Sequence, residues 1–225
     1  MKTLFTIILI MISCKSNSQS LAIIDDPDGY TNMREGPGNT YKMIDQISKN
    51  EVFIIEDLKE DWYLIYKVEN GYKEGFMHES RVLLIYSLPT IGEREFRNDY
   101  LVISNPNFEF KIRRGKFDKS EHKYTFENNK HVLKIDDRVP YGVDGGYPTT
   151  EIEEISLTID GKSIHIPDTA YSDLYNINYE NIEIRKTNDG TLFINMLNNS
   201  DGAGYYNAVW IFQDKRILRR LITIM

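Results

Sequence analysis

Cys14 is the only cysteine in the 225-residue chain. No intramolecular disulfide can form, and no cysteine cluster can hold zinc. If Cys14 belongs to an export signal, a papain-type cysteine–histidine enzyme is excluded as well. Histidine is scarce too. His78, His122, His131 and His165 show neither HExxH nor His–Cys spacing, so metal catalysis lacks a ligand set. There is no Gly-x-Ser-x-Gly elbow, and no glycine-rich loop ends in the Lys-Ser/Thr of a phosphate loop. Carboxylates are plentiful, but pairing them into a glycosidase needs a spatial separation that a sequence does not contain. Acidic residues outnumber basic ones, 34 to 27, for a net charge of −7. That balance disfavours nucleic acid, which selects a basic footprint. The reading therefore assigns no catalytic residue, no metal and no cofactor.

Apolar material is not lacking. Hydrophobic residues make up 41% of the chain, with 15 tyrosines and ten phenylalanines, enough to build cores and to exclude wholesale disorder. Only one apolar run is long, Leu4 to Ile12. It is well short of the ~20 residues that span a bilayer as a helix. After Met1-Lys2 and before the polar stretch Lys15 to Ser20, it has the length of the apolar region of an export signal. Residues 1–20 are read as that signal. Met11-Ile12-Ser13-Cys14 resembles a lipobox, with methionine where leucine is commonest, which makes Cys14 the candidate lipidation site. The alternative is ordinary cleavage near Ser16-Asn17-Ser18, releasing a soluble protein without Cys14. Acylation would hold the protein on a membrane, since each buried CH₂ contributes about 0.8 kcal/mol. Removing the signal leaves roughly 205 residues, one large domain or two small ones.

Residues 21–86 read as the first folded unit. Asp26-Pro27-Asp28-Gly29 is a turn signal, followed by the strand-like Tyr30 to Arg34. Glu35-Gly36-Pro37-Gly38 breaks that strand, with Gly36 free to take positive φ and Pro37 fixing the next φ. Further β-rich runs are Glu51 to Glu56 and Trp62 to Val68, and Asn70-Gly71 suits a two-residue hairpin. Short strands with close turn punctuation point to a small barrel or sandwich. Together Asn32-Met33-Arg34-Glu35-Gly36-Pro37, Ile44 to Asn50, Trp62-Tyr63 and Gly75-Phe76-Met77-His78 resemble the bacterial SH3 domain family over about 60 residues. Asn50 stands where glycine is common. The resemblance implies an SH3-like β-barrel and a binding role, towards a cell-wall component or a protein. Asn32, Arg34, Trp62 and Tyr63 are its candidate ligand-binding residues. Asn32 and Arg34 also have a structural reading, in which they hold the turn by hydrogen bonding. His78 reads as an edge residue. Asp57, Glu60 and Asp61 read as solvated loop carboxylates, with a Ca²⁺ site conceivable.

Residues 87–97 have linker character, and Glu93 to Arg97 suit a short helical turn. Residues 98–225 read as a second, antiparallel β domain with one short helix near Pro167 to Tyr175, capped by Asp168 or Thr169. Its hairpins turn at Asp160-Gly161, Asn188-Asp189-Gly190 and Gln213 to Arg216. The C-terminal part resembles uncharacterised exported bacterial proteins, a likeness that implies no function. Two loops combine acids, glycines and tyrosines: 141–148 and 198–206. If they meet, Asp144, Tyr147, Asp201, Tyr205 and Tyr206 line a pocket. The plainer reading is two turns whose tyrosines cap a sheet. Neither has the EF-hand pattern. Glu151, Glu153 and Glu154 read as a solvated strand edge. Lys215, Arg216, Arg219 and Arg220 read as a solvated or edge-protecting basic patch, with contact to anionic lipid or wall polymer as the minor option.

The whole is read as mainly β, a small SH3-like barrel followed by a second β domain. The leading function is a non-enzymatic, exported envelope protein that binds a wall component or an envelope protein, with membrane attachment if Cys14 is acylated and no nucleic-acid role. Two alternatives stay open: a cell-wall hydrolase with its site in the second domain, and an inhibitor or immunity-type interaction protein.

Overall fold

The structure is a computed structural model that describes residues 19–49, 51–67, 72–128, 130–198, 202 and 204–224. Cys14 and the rest of 1–18, Asn50, the Asn70-Gly71 turn and Asn199, Ser200, Asp201 and Ala203 lie outside the described residues.

Seven strands form the first sheet: β1 (Ser20–Ile24), β2 (Tyr30–Arg34), β3 (Met43–Ser48), β4 (Phe53–Lys59), β5 (Trp62–Lys67), β6 (Lys73–His78) and β7 (Val82–Leu84). Their order is β3-β2-β6-β5-β4-β1-β7, all antiparallel. The sheet curls into a half-barrel. Ile47 on one edge strand, Val82 and Leu84 on the other, and Ala22, Ile24, Met33, Phe53, Ile55, Ile65 and Met77 between them all meet in one core. A flat sheet would hold its two edges apart. Alternation makes this possible: Thr31 and Met33 point inward on β2 while Tyr30, Asn32 and Arg34 face out.

The second unit is a sandwich. One sheet has order β14-β13-β10-β9-β8, from β8 (Glu93–Arg97), β9 (Tyr100–Asn105), β10 (Phe108–Lys116), β13 (Thr150–Ile159) and β14 (Lys162–Ile164). The other is the meander β15 (Ile182–Lys186), β16 (Leu192–Asn198), β17 (Tyr206–Gln213) and β18 (Arg216–Thr223). A separate ribbon pairs β11 (Tyr124–Glu127) with β12 (His131–Ile135). The sandwich core packs Phe110, Ile112 and Leu157 against Ile194, Met196 and Trp210. Trp210 is buried, and its Nε1–H donates to the Ala170 carbonyl at 2.9 Å. No described helix is long and apolar enough to cross a membrane.

The two units share a third core. Phe193, Val209 and Ile211, on the outer face of the four-stranded sheet, pack with Ile23, Val52, Ile85 and Leu88. β16 and β17 are thus buried on both faces, which explains the unbroken buried run Tyr206 to Phe212. The connector is tied down as well. The Ile91 N–H donates to the Ile184 carbonyl at 2.8 Å, and the Arg185 guanidinium donates to the carbonyls of Tyr86 and Leu88.

Three local expectations are corrected. Glu93 to Arg97 form strand β8, not a helical turn, because Asn98 (φ 54°) turns the chain back and pairs Phe96 with Leu101. The helix expected near Pro167 to Tyr175 is only a 3₁₀ turn, Asp168–Ala170, whose N-cap is Pro167 with no side-chain cap. The basic patch lies on and beside edge strand β18, in line with the edge reading, but it is not simply solvated. Arg220 is half-buried and donates to Asp173 at 2.8 Å and to the Thr169 carbonyl at 2.9 Å, while Lys215 pairs with Asp160 at 2.9 Å.

Candidate functional site

The half-barrel carries an open groove of about 400 Å³ between the outward face of β2, the start of β5 and the segment after β6. Trp62 opens β5 and His78 closes β6, and the antiparallel register sets them directly opposite one another. Their rings meet edge-on, with centroids 5.2 Å apart and planes at 86°. Such a T-shaped pair holds both rings in place. The Ser80 backbone N–H donates to His78 Nδ1 at 3.2 Å, and Ser80 Oγ lies 2.8 Å from the same nitrogen. Nδ1 is thereby the acceptor, and in the neutral ring the proton sits on Nε2. Trp62 is almost wholly buried, so it forms the floor, while Tyr30 at the rim is 46% exposed.

Polar side chains make the walls. Arg34 donates to the Tyr41 carbonyl at 2.8 Å, bridging the ends of the Glu35-to-Thr40 loop, and the Glu35 N–H closes the same loop onto Lys42 at 2.9 Å. Asn32 accepts from Gln46 Nε2 at 3.1 Å, across to β3. Arg34 therefore holds the turn, whereas Asn32 ties two strands. Gly36 is not at positive φ, contrary to expectation. Its demand is steric, since a Cβ there would stand 2.5 Å from the Tyr41 ring. At the other end of the groove, Asp26 accepts from the Asp28 N–H at 3.1 Å and Thr31 Oγ1 at 2.9 Å, and faces Arg81 at 3.3 Å. The Asp28 backbone bond, then that of Thr31, hold the Asp26 carboxyl below its usual range against a small opposing effect of burial; Arg81 adds to the lowering.

The groove brings together Asn32, Arg34 and Trp62. Tyr63 is not among them. Alternation turns it to the other side of β5, where it packs against the barrel core, and burial raises its hydroxyl pKa. Asp26, Asn39, His78, Ser80 and Arg81 complete the lining. In the sequence Asp26 reads only as part of a turn and His78 as an edge residue. The signal for Asp26 was its acidic side chain two residues before Asp28, the spacing of an Asx turn. Arg81 carried none, because its partner lies 55 positions earlier.

The other candidates are dispersed. The two glycine-rich loops do meet at their bases: the Tyr141 and Tyr206 rings lie 6.3 Å apart, and a Cβ on Gly142 (φ 93°) would stand 2.2 Å from the Tyr175 carbonyl oxygen. Tyr206 is fully buried, however, with its hydroxyl donating to the Tyr175 carbonyl at 3.2 Å, so it cannot line an open pocket. Asp144 is exposed. Tyr147 packs edge-on against Tyr124 at 5.0 Å, under the Lys119 ammonium at 3.9 Å. Tyr205 borders a separate cleft beside Asn207. Glu151 is half-buried, not a solvated edge: its carboxylate lies 3.2 Å from His122 Nε2, and burial raises its pKa. Among the described residues no group of three or more His, Cys, Asp or Glu side chains is placed to hold a metal ion.

No curated protein and no solved structure matches the chain. The model of one family does match, over residues 29–82, from the turn before β2 to the start of β7. That segment, the greater part of the curled sheet and nearly all of the groove, matches the bacterial SH3 domain family.

Proposed function

We propose that the protein is an exported, envelope-associated binding protein whose SH3 domain recognises a cell-wall component in the groove floored by Trp62 and walled by Asn32 and Arg34. A bacterial SH3 domain is a binding module, often cell-wall related, which supports the reading at the level of the domain. The observation that carries it further is the groove itself. Its aromatic floor is rigidly held, and its rim offers amide, guanidinium and imidazole groups suited to an amide- and hydroxyl-rich polymer. The proposal is of binding and not of catalysis. The imidazole's Nδ1 and the carboxylate are committed to internal partners, Ser80 for His78 and Thr31 and Arg81 for Asp26, which leaves the neutral ring only its Nε2–H to donate. The apolar run ending near Cys14 supports export, with the lipid on Cys14 holding the protein at a membrane.

Sedimentation of the full mature chain with purified peptidoglycan tests this. The wild-type chain co-sediments, and the Asn32→Ala/Arg34→Ala variant, still folded but with a Tm lowered by loss of its bonds to Gln46 and the Tyr41 carbonyl, is recovered mainly in the supernatant. Equal recovery of both in the supernatant would remove the wall ligand and leave a protein partner for the same groove.

A further inference from the structure

The outer face of the four-stranded sheet divides into two halves. Phe193, Val209, Ile211 and Leu221 are covered by the half-barrel. Beyond them the same face turns polar: Asn207 on β17 and Thr223 on β18 are directly opposed in the ladder, and Asn195 on β16 stands one rung nearer, opposite Val209. Asn207 is 8% exposed and Thr223 5%. Asn207 Oδ1, Thr223 Oγ1 and Asn195 Oδ1 have no hydrogen-bond partner. A polar atom removed from water without a partner is destabilising, and native proteins keep few of them. Three on one sheet face, on adjoining rungs, are a place for something else to complete.

Asn207 and Thr223 border a space of about 30 Å³ beneath Leu21. Beside it, past Asn207 and Asn195, opens a cleft of about 200 Å³ with Tyr205 and Tyr86 on its walls. We propose that this cleft is a second binding site, distinct from the SH3 groove, and that it takes a neutral saccharide ring. The volume holds about one ring, below the ~300 Å³ at which ordinary ligand pockets begin. The charges at its edge exclude an ion. Arg185 is paired with Glu183 at 2.7 Å, and its remaining donors are spent on the carbonyls of Tyr86 and Leu88. What is left unpaired on the cleft wall is neutral, the two amide oxygens of Asn195 and Asn207, which need donors; the Thr223 hydroxyl, which can give or accept, lies in the adjoining space behind Asn207. A sugar's hydroxyl groups supply those donors. Its C–H face matches the flat apolar surface of the tyrosines.

Saturation-transfer NMR on the full mature chain with N-acetylglucosamine as probe tests the proposal, with an acetamide-capped alanine as a control that has amides but no hydroxyl groups. Asn207→Leu/Thr223→Val replaces the unpaired groups by apolar ones of similar size, a change that leaves folding intact or improves it. Transfer to the sugar is expected in the wild-type chain and equally in Asn32→Ala/Arg34→Ala, which disables only the groove. In Asn207→Leu/Thr223→Val, at unchanged or higher Tm, affinity should fall about tenfold or more. No transfer to the wild-type chain means that water alone fills the cleft and overturns the proposal. So does transfer that survives in Asn207→Leu/Thr223→Val, and so does equal transfer to the capped alanine, which would make the ligand a peptide.

Discussion

Gly75 lies so close beneath Arg34 that a methyl group on its Cα would stand 2.8 Å from the Arg34 carbonyl oxygen and 2.7 Å from the Met33 terminal methyl. This is where β2 crosses onto β6, joined by the single pair Arg34 and Phe76. The backbone cannot retreat without moving Arg34 off the groove. Gly75→Ala is expected to cost about 2–3 kcal/mol by overpacking. Gly36→Ala meets only the Tyr41 ring, which is 47% exposed and can swing outward, so about 1 kcal/mol or less is expected. Denaturant midpoints of the two variants check the ranking.

Asp173 anchors the second unit. Its buried carboxylate accepts from Arg138 at 2.7 Å and from Arg220 at 2.8 Å, joining the segment after β12 to edge strand β18. Asp173→Ala leaves both guanidinium groups without their shared partner and should cost about 3 kcal/mol. Asp173→Asn, which keeps an acceptor oxygen, should lose less. Thermal unfolding of the pair gives the comparison.

Much of this architecture is legible in the residues, and the exceptions have physical causes. Period-2 alternation in Tyr30 to Arg34 and in Ile155, Leu157 and Ile159 reports which side is buried. Aspartate–glycine turns such as Asp160 (φ 48°) and Gly161 (φ 72°) announce their hairpins. Turns without glycine are less visible. Glu60 and Asp61, and Asp214 and Lys215, hold positive φ in pairs, and Asn98 does so where a helical turn was expected. The groove is half legible. Asn32, Arg34 and Trp62 sit in the family's motif, whereas the pairing of Asp26 with Arg81 is set by the curl of the sheet. The seam between units is written only as an absence of alternation in Tyr206 to Phe212, a pattern that a one-sided strand reading passes over.

A charge pair crosses that seam. Lys49 of the half-barrel meets Asp189, in the β15–β16 turn, at 2.8 Å. Lys49, then the Thr187 hydroxyl, hold the Asp189 carboxyl well below its ordinary value of 3.8. A depressed folded-state pKa means that this stabilisation is complete above the unfolded value and is lost as pH falls through the folded one. Asp189→Asn should therefore lower Tm at neutral pH, by an amount equivalent to about 1 kcal/mol or less for an exposed pair. The gap from wild type should hold down to about pH 5 and narrow below pH 4. Melting curves at pH 7, 5 and 3 show whether it does.

The groove on the SH3 domain is the centre of the account, and amide-resolved NMR of the labelled mature chain, titrated with soluble wall fragments, tests it most directly. Shifts are expected at Asn32, Arg34, Asn39 and Ser80 and at the Trp62 indole N–H, all saturating along one binding curve. Shifts confined to the sandwich, or none at any of these groups, would contradict it.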